Sequence, residues 1–148
     1  MLVRPATSAD VPAVMRLEQH SVTASHWSPE QYERIFATAA PRRVKLVIEE
    51  TNGVQGFLIA QVIAPEWEIE NIAIAADARR RGLGTRLLGE FLDHARAEGA
   101  QAVFLEVRES NQAARSLYEK WAFVESGRRI RYYQNPQEDA IAYRHSFT

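Results

Sequence analysis

The sequence predicts an α/β fold, mostly sheet with helices packed against it. Three observations carry this prediction. Short apolar runs with strand-like alternation recur along the chain, helically spaced apolar stripes separate them, and glycine or proline stands at many of the junctions. With 148 residues, 46% of them hydrophobic and 25% charged, the chain has the size and composition of one globular domain, and residues 1–148 are read as such. No repeat, low-complexity stretch or linker points to a second.

Leu2-Val3-Arg4-Pro5-Ala6 reads as a short strand. Thr7 followed by Asp10 caps a helix that carries Val11, Val14, Met15 and Leu17 inward. Ser28-Pro29-Glu30-Gln31 is a second start: serine caps, proline suits the first helical position, and glutamine three residues on completes a capping box, with helix to about Thr38. Val44 to Val62 is a hairpin, turned at Thr51-Asn52-Gly53 where the Asn-Gly pair favours a tight turn. After Pro65, Trp67 to Ile74 alternates large apolar with polar residues and then becomes apolar throughout, as a central strand does. From Leu83 the apolar positions Leu87, Leu88, Phe91, Leu92 and Ala95 keep helical spacing until Gly99. Ala102 to Val107 is the next strand, and Asn111 to Lys120 a short helix. Phe123-Val124 is strand-like, and a final strand runs from near Ala140 to Phe147 beyond an Asn135-Pro136 turn.

Composition excludes several function classes. A formal net charge of −1 gives no overall attraction to nucleic acid or an anionic membrane, so an anion site has to be local. The absence of cysteine excludes disulfides, thiolate metal sites and thiol nucleophiles. The four histidines, His20, His26, His94 and His145, lack metal-like spacing, and no metal is assigned. No run reaches membrane-spanning length and the N-terminus shows no secretory pattern, so a cytoplasmic protein is expected.

The informative segment is Arg79-Arg80-Arg81-Gly82-Leu83-Gly84-Thr85, between the apolar strand and the long helix. A helix N-terminus presents unpaired N–H groups and the positive end of the helix dipole, and glycine lets a phosphate approach them closely. Leu87 stands where a dinucleotide fingerprint has its third glycine, and no Gly-Lys-Ser/Thr follows, so neither nucleotide motif is complete. The plain alternative is a glycine turn beside solvated arginines.

Two residues are candidates for moving protons, one as a base and one as an acid. Glu106 stands in the otherwise apolar Val103-Phe104-Leu105-Glu106-Val107, where burial would disfavour its charge and suit it to accept a proton; the alternative is a strand-end glutamate paired with Arg108. Tyr118 is protonated at neutral pH and able to donate, although packing alone also explains an aromatic there. Without cysteine, no covalent intermediate on a thiol is available. Trp27 is read as packing. The basic, aromatic stretch Arg128, Arg129, Arg131, Tyr132 and Tyr133 is read as a solvated strand, without a nucleic-acid role.

Arg-x-x-Gly-x-Gly at the head of a helix resembles the acetyl-CoA signature of the GNAT acetyltransferase superfamily. Glu70-Asn71-Ile72-Ala73-Ile74, Leu105 to Asn111 and Leu117 to Phe123 extend the likeness to its RimI-type ribosomal-protein alanine N-acetyltransferases. The resemblance covers most of the chain and is most specific from about residue 66 to 124. It implies a mixed, mostly antiparallel sheet flanked by helices, with a splayed central strand pair at the cofactor. It also implies acetyl-CoA as cosubstrate, bound by the backbone at Ile72, Ala73 and Ile74, by Arg79, Arg80, Arg81, Gly82, Leu83 and Gly84 at the diphosphate, and by Asn111, which is equally suited to cap its helix. Glu106 and Tyr118 would be base and acid, and the acceptor the α-amine of a protein or peptide, a ribosomal protein among the candidates. A lysine side chain or small amine as acceptor, and a non-catalytic acetyl-CoA sensor, stay open. Ala122 departs from the pattern, standing where the family usually has glycine.

Overall fold

The computed structural model describes residues 1–20 and 27–147, without the side chains of Arg79 and Arg80. Seven strands form one mixed sheet in the order β1-β2-β3-β4-β5-β7-β6. They are β1 (Leu2–Pro5), β2 (Arg43–Glu50), β3 (Gly53–Gln61), β4 (Glu66–Ile74), β5 (Ala102–Arg108), β6 (Val124–Tyr133) and β7 (Glu138–Ser146). Every neighbouring pair is antiparallel except β4 with β5. The helices are α1 (Val11–Gln19), α2 (Pro29–Ala37), α3 (Leu83–Ala97) and α4 (Gln112–Lys120).

Local chemistry starts and stops these elements largely where the sequence places them. At α2, Ser28 Oγ accepts from the Gln31 amide at 3.2 Å while Gln31 Oε1 accepts from the Ser28 amide at 2.8 Å, a reciprocal capping box. At the end of α3, Gly99 takes φ +91° and the chain bonds back from the Ala100 amide to the Ala95 carbonyl at 3.0 Å. Before α1 the backbone first makes a 3-10 turn, Ser8–Asp10, in which Asp10 Oδ2 accepts from the Thr7 amide at 2.8 Å. The strand-like Phe123-Val124 and the solvated strand read at Arg128 to Tyr133 belong to one ten-residue edge strand, Val124–Tyr133, whose side chains are almost all exposed, so no burial pattern announces its continuity.

Two apolar layers form on the two faces of the sheet. Leu87, Leu88 and Phe91 of α3, with Tyr118 of α4, pack on Leu58, Ile69, Val103 and Leu105. Val14, Tyr32 and Ile35 of α1 and α2 pack on Val47, Phe57 and Ile59. Asn71 pairs with Ile59 and Ile69 with Ala60, leaving Glu70 as an extra residue in β4. This bulge reverses the alternation. Ile69 faces the α3 layer, but after Glu70 it is Ile72 and Ile74 that face it, while Ala73 joins the α1/α2 layer.

Candidate active site

β4 and β5 pair over only three positions, Glu66–Ala102, Trp67–Val103 and Glu68–Phe104. Beyond Glu68 the two parallel strands diverge, since β4 stays bonded to β3 and β5 to β7. The divergence opens a cleft of roughly 230 Å³, walled by β4 from Ile69 to Ile74, by β5 from Leu105 to Val107, and by α4, with Gly84 and Thr85 of α3 at one end. A narrow, mostly apolar cleft of this size fits an extended chain-like group better than a bulky one.

At its end stands the N-terminus of α3. Residues 76–81 form a 3-10 helix, and Gly82 follows at φ +77°, a left-handed conformation that costs glycine little. Among the described residues no side chain caps α3, which leaves the first-turn amides as donors for an outside anion. A methyl group added to Gly84 would lie 3.4 Å from both Ile74 Cγ1 and Leu117 Cδ2, filling the gap between β4 and α4. Leu83 is fully buried and offers only its backbone. Arg81 is held by Glu50 in an exposed ion pair of 2.7 Å, and the side chains of Arg79 and Arg80 lie outside the described residues. Asn111 lines the cleft and also caps α4, its Oδ1 accepting from the Ala114 amide at 3.1 Å.

Glu106 of β5 and Tyr118 of α4 both line this cleft. Glu106 does not pair with Arg108. Arg129 of β6 reaches it, with Nε 2.7 Å from Oε2, while Arg108 bonds to the Gln134 and Pro136 carbonyls at 3.0 Å and stacks on Tyr133. The alternative of a pair with Arg108 is thereby corrected to a pair with Arg129. Glu106 points away from Val103, Leu105 and Val107, which serve the α3 layer, toward the face where β6 and β7 bring polar groups. Tyr118 is 4% exposed, and burial raises its phenol above the ordinary tyrosine value. Among the described residues none hydrogen-bonds its hydroxyl, and its ring packs on Phe123 and Tyr143. Tyr133, half-buried near Glu106, is pushed up to about 12 by burial and by the Glu106 carboxylate. Glu68 is raised by burial, then by Glu70 and Glu106, so this face of the cleft gathers carboxylates.

Asn71 is a site residue to which the sequence assigned no role. It is 3% exposed in the cleft wall and donates to Tyr32 Oη at 2.9 Å; Tyr32 in turn donates to Glu18 Oε1 at 2.8 Å. Glu18 also accepts from the Trp27 amide, and the Trp27 ring packs on Tyr32, consistent with the packing role expected of it. A polar residue in the apolar run of β4 is the only sequence signal for this chain of bonds.

His20 and His145 bond backbone carbonyls, His94 meets the Trp67 ring, and His26 lies outside the described residues. Among the described residues no cluster of three or more His, Asp or Glu groups is arranged to hold a metal. None of the described helices is long and apolar enough to cross a membrane.

Comparison with known proteins agrees with this geometry. The model of the acetyltransferase (GNAT) family matches residues 11–123. A [ribosomal protein bS18]-alanine N-acetyltransferase from Salmonella typhimurium is 36% identical over 137 residues, 91% of this chain and 90% of that protein. Its counterpart from Haemophilus influenzae is 33% identical over 143 residues, 95% of this chain and 94% of that protein. Among solved structures, the ribosomal-protein-S18-alanine N-acetyltransferase from Escherichia coli superposes with a TM-score of 0.87 at 30% identity, covering 99% of this chain and 94% of that one.

Proposed function

Because the chain belongs to the acetyltransferase (GNAT) family and is an N-acetyltransferase of RimI type, we propose that the β4–β5 cleft binds acetyl-CoA and that the acceptor is the N-terminal α-amine of a protein. The observation that carries this reading is the divergence of β4 from β5 onto an uncapped helix N-terminus, with Glu106 and Tyr118 lining the same cleft. The names of the relatives, which specify an alanine of a ribosomal protein, support the choice of acceptor. Residues 1–148 act as one N-acetyltransferase domain.

Such a cosubstrate supplies an acetyl group already activated on a thiol leaving group. The residues of this chain do the rest. The amides of Leu83, Gly84 and Thr85 hold the diphosphate, assisted by Arg79, Arg80 and, once released from Glu50, Arg81. The backbone of Ile72, Ala73 and Ile74 aligns the pantetheine arm along β4, and the side-chain amide of Asn111 steadies it at the head of α4. Glu106 takes a proton from the incoming ammonium, directly or through water, freeing its lone pair for attack on the acetyl carbonyl. Tyr118, kept protonated by burial, gives its proton to the departing sulfur. Placing both reactants in one cleft supplies much of the remaining acceleration.

The test is a panel of acceptors with purified protein and acetyl-CoA, read as release of free thiol. Turnover with peptides bearing a free N-terminus, and none with N-terminally blocked lysine peptides, is expected. Turnover only with the blocked lysine peptides would overturn the acceptor, and cofactor binding without turnover on any amine would overturn catalysis.

A further inference from the structure

Arg129 lies on the exposed edge strand β6, yet its guanidinium crosses the whole width of β7 to reach Glu106 on β5. Glu106 sits opposite Ala142, which sits opposite Gly127; two residues along, Arg108, Ala140 and Arg129 form the next row on the same face. The track between the partners is therefore floored by two alanines and a glycine, and a methyl group added to Gly127 would meet only the Ala142 methyl, at 3.9 Å. Larger side chains in these rows would block the crossing. Arg128, the neighbouring residue, turns instead to Glu109 and Asp139.

The contact engages an oxygen that acid–base chemistry needs. With Nε 2.7 Å from Oε2, the guanidinium forms an ion pair against the carboxylate assigned to the acceptor's proton. It is also loosely held: the arginine side chain is 62% exposed against 20% for the glutamate, and its other contact is the Tyr132 ring at 5.1 Å. Exposed pairs of this kind are released cheaply. Among the described residues, the other ionisable groups close enough to feel Glu106 are Glu68 of β4 and Tyr133 of β6, while Glu70, paired with Arg43 at 2.7 Å, and Tyr118 line the same cleft. Once the guanidinium swings away, Glu106, which lines the cleft, is left close to Glu68, a setting that attracts a cation.

We propose that Arg129 is a positioning residue that occupies, in the free enzyme, the place on Glu106 which the acceptor's ammonium takes, so that the amine binds by displacing it. This rests on the reading of Glu106 as the base. The acceptor must then arrive as a cation, and Glu106 stays satisfied whenever no amine is present.

Steady-state kinetics of the full chain with acetyl-CoA and a short peptide bearing a free N-terminal alanine test it. Arg129→Ala is expected to lower KM for the peptide roughly two- to fivefold with kcat unchanged, the size of one exposed ion pair removed from competition. Arg129→Lys, which restores a cation, returns KM toward the parent value. Arg144→Ala removes an arginine that serves Glu66 and leaves KM where it was. An unchanged or raised KM in Arg129→Ala, or an equal fall in Arg144→Ala, overturns the proposal. Glu106→Gln keeps the two readings apart: if it turns over normally the base assignment itself has failed, whereas its loss of turnover beside an unmoved Arg129→Ala condemns the displacement alone.

Discussion

Replacing Tyr118 by phenylalanine separates a chemical role of the hydroxyl from a packing role of the ring, because it removes the first and keeps the second. The ring stays in its contacts with Phe123, 5.6 Å between centroids, and with Tyr143, at 6.1 Å. The hydroxyl has no hydrogen-bond partner among the described residues, so its removal strands no donor or acceptor. Burying an unpaired hydroxyl costs about 1–3 kcal/mol, and the open cleft beside Tyr118 lets water recover most of that. Tyr118→Phe should therefore be neutral or stabilising by up to about 1 kcal/mol, which for a chain of this size raises the thermal midpoint by at most about 4 °C. If the hydroxyl protonates the departing sulfur, kcat falls ~100-fold, equivalent to about 2.7 kcal/mol on the barrier, while acetyl-CoA binding is kept. Thermal unfolding, equilibrium binding of acetyl-CoA and thiol release on the same preparation measure all three. A kcat within twofold of the parent would refute the proton-donor assignment, and a midpoint several degrees lower would show that the hydroxyl has a structural partner.

Further outcomes follow from other contacts. Gly84→Ala should fold normally, since its methyl meets Ile74 and Leu117 at ordinary contact distance and a helical alanine is favoured by ~0.5–1 kcal/mol; its intrusion into the cleft should raise KM for acetyl-CoA about tenfold with kcat less affected. Unaltered affinity would mean the cofactor does not pass that point. Ala122 holds φ +62° in the turn before Phe123, strained for any residue with a Cβ, so Ala122→Gly should stabilise by about 1 kcal/mol in urea unfolding. A loss of stability would show that its methyl packs more than it strains. Asp10 accepts from Arg4 at 2.8 and 2.9 Å and from the Thr7 amide, and Asp10→Asn should cost about 2–3 kcal/mol. Arg4 chiefly, with help from Thr7, holds this carboxyl below its ordinary 3.8, so its stabilisation is present above about pH 4 and is lost as the pH falls further through the folded value. Urea titrations of both proteins should give a constant gap from pH 7 to about 4.5 that closes below pH 4. A gap that grew on acidification would contradict the assignment.

Local signals in the sequence determined the Ser28 cap, the Asn52-Gly53 turn, the amphipathic α3 with its glycine entrance, and the chemical oddity of a glutamate in β5, because each depends on residues within a turn or two of one another. The family likeness, legible in residues 66 to 124, supplied the role of the cleft. Tertiary structure alone decided the rest. The extra residue Glu70 reverses which face Ile72 and Ala73 present, and nothing within β4 reveals it, since a bulge is defined only against the partner strand β3. The three-residue pairing of β4 with β5 depends on how two distant strands twist apart. Glu106 and Arg108 share one face of β5, yet Arg108 is taken up by the Gln134 and Pro136 carbonyls and the Tyr133 ring, while Arg129, 23 positions from Glu106, is brought to it by the register of three strands.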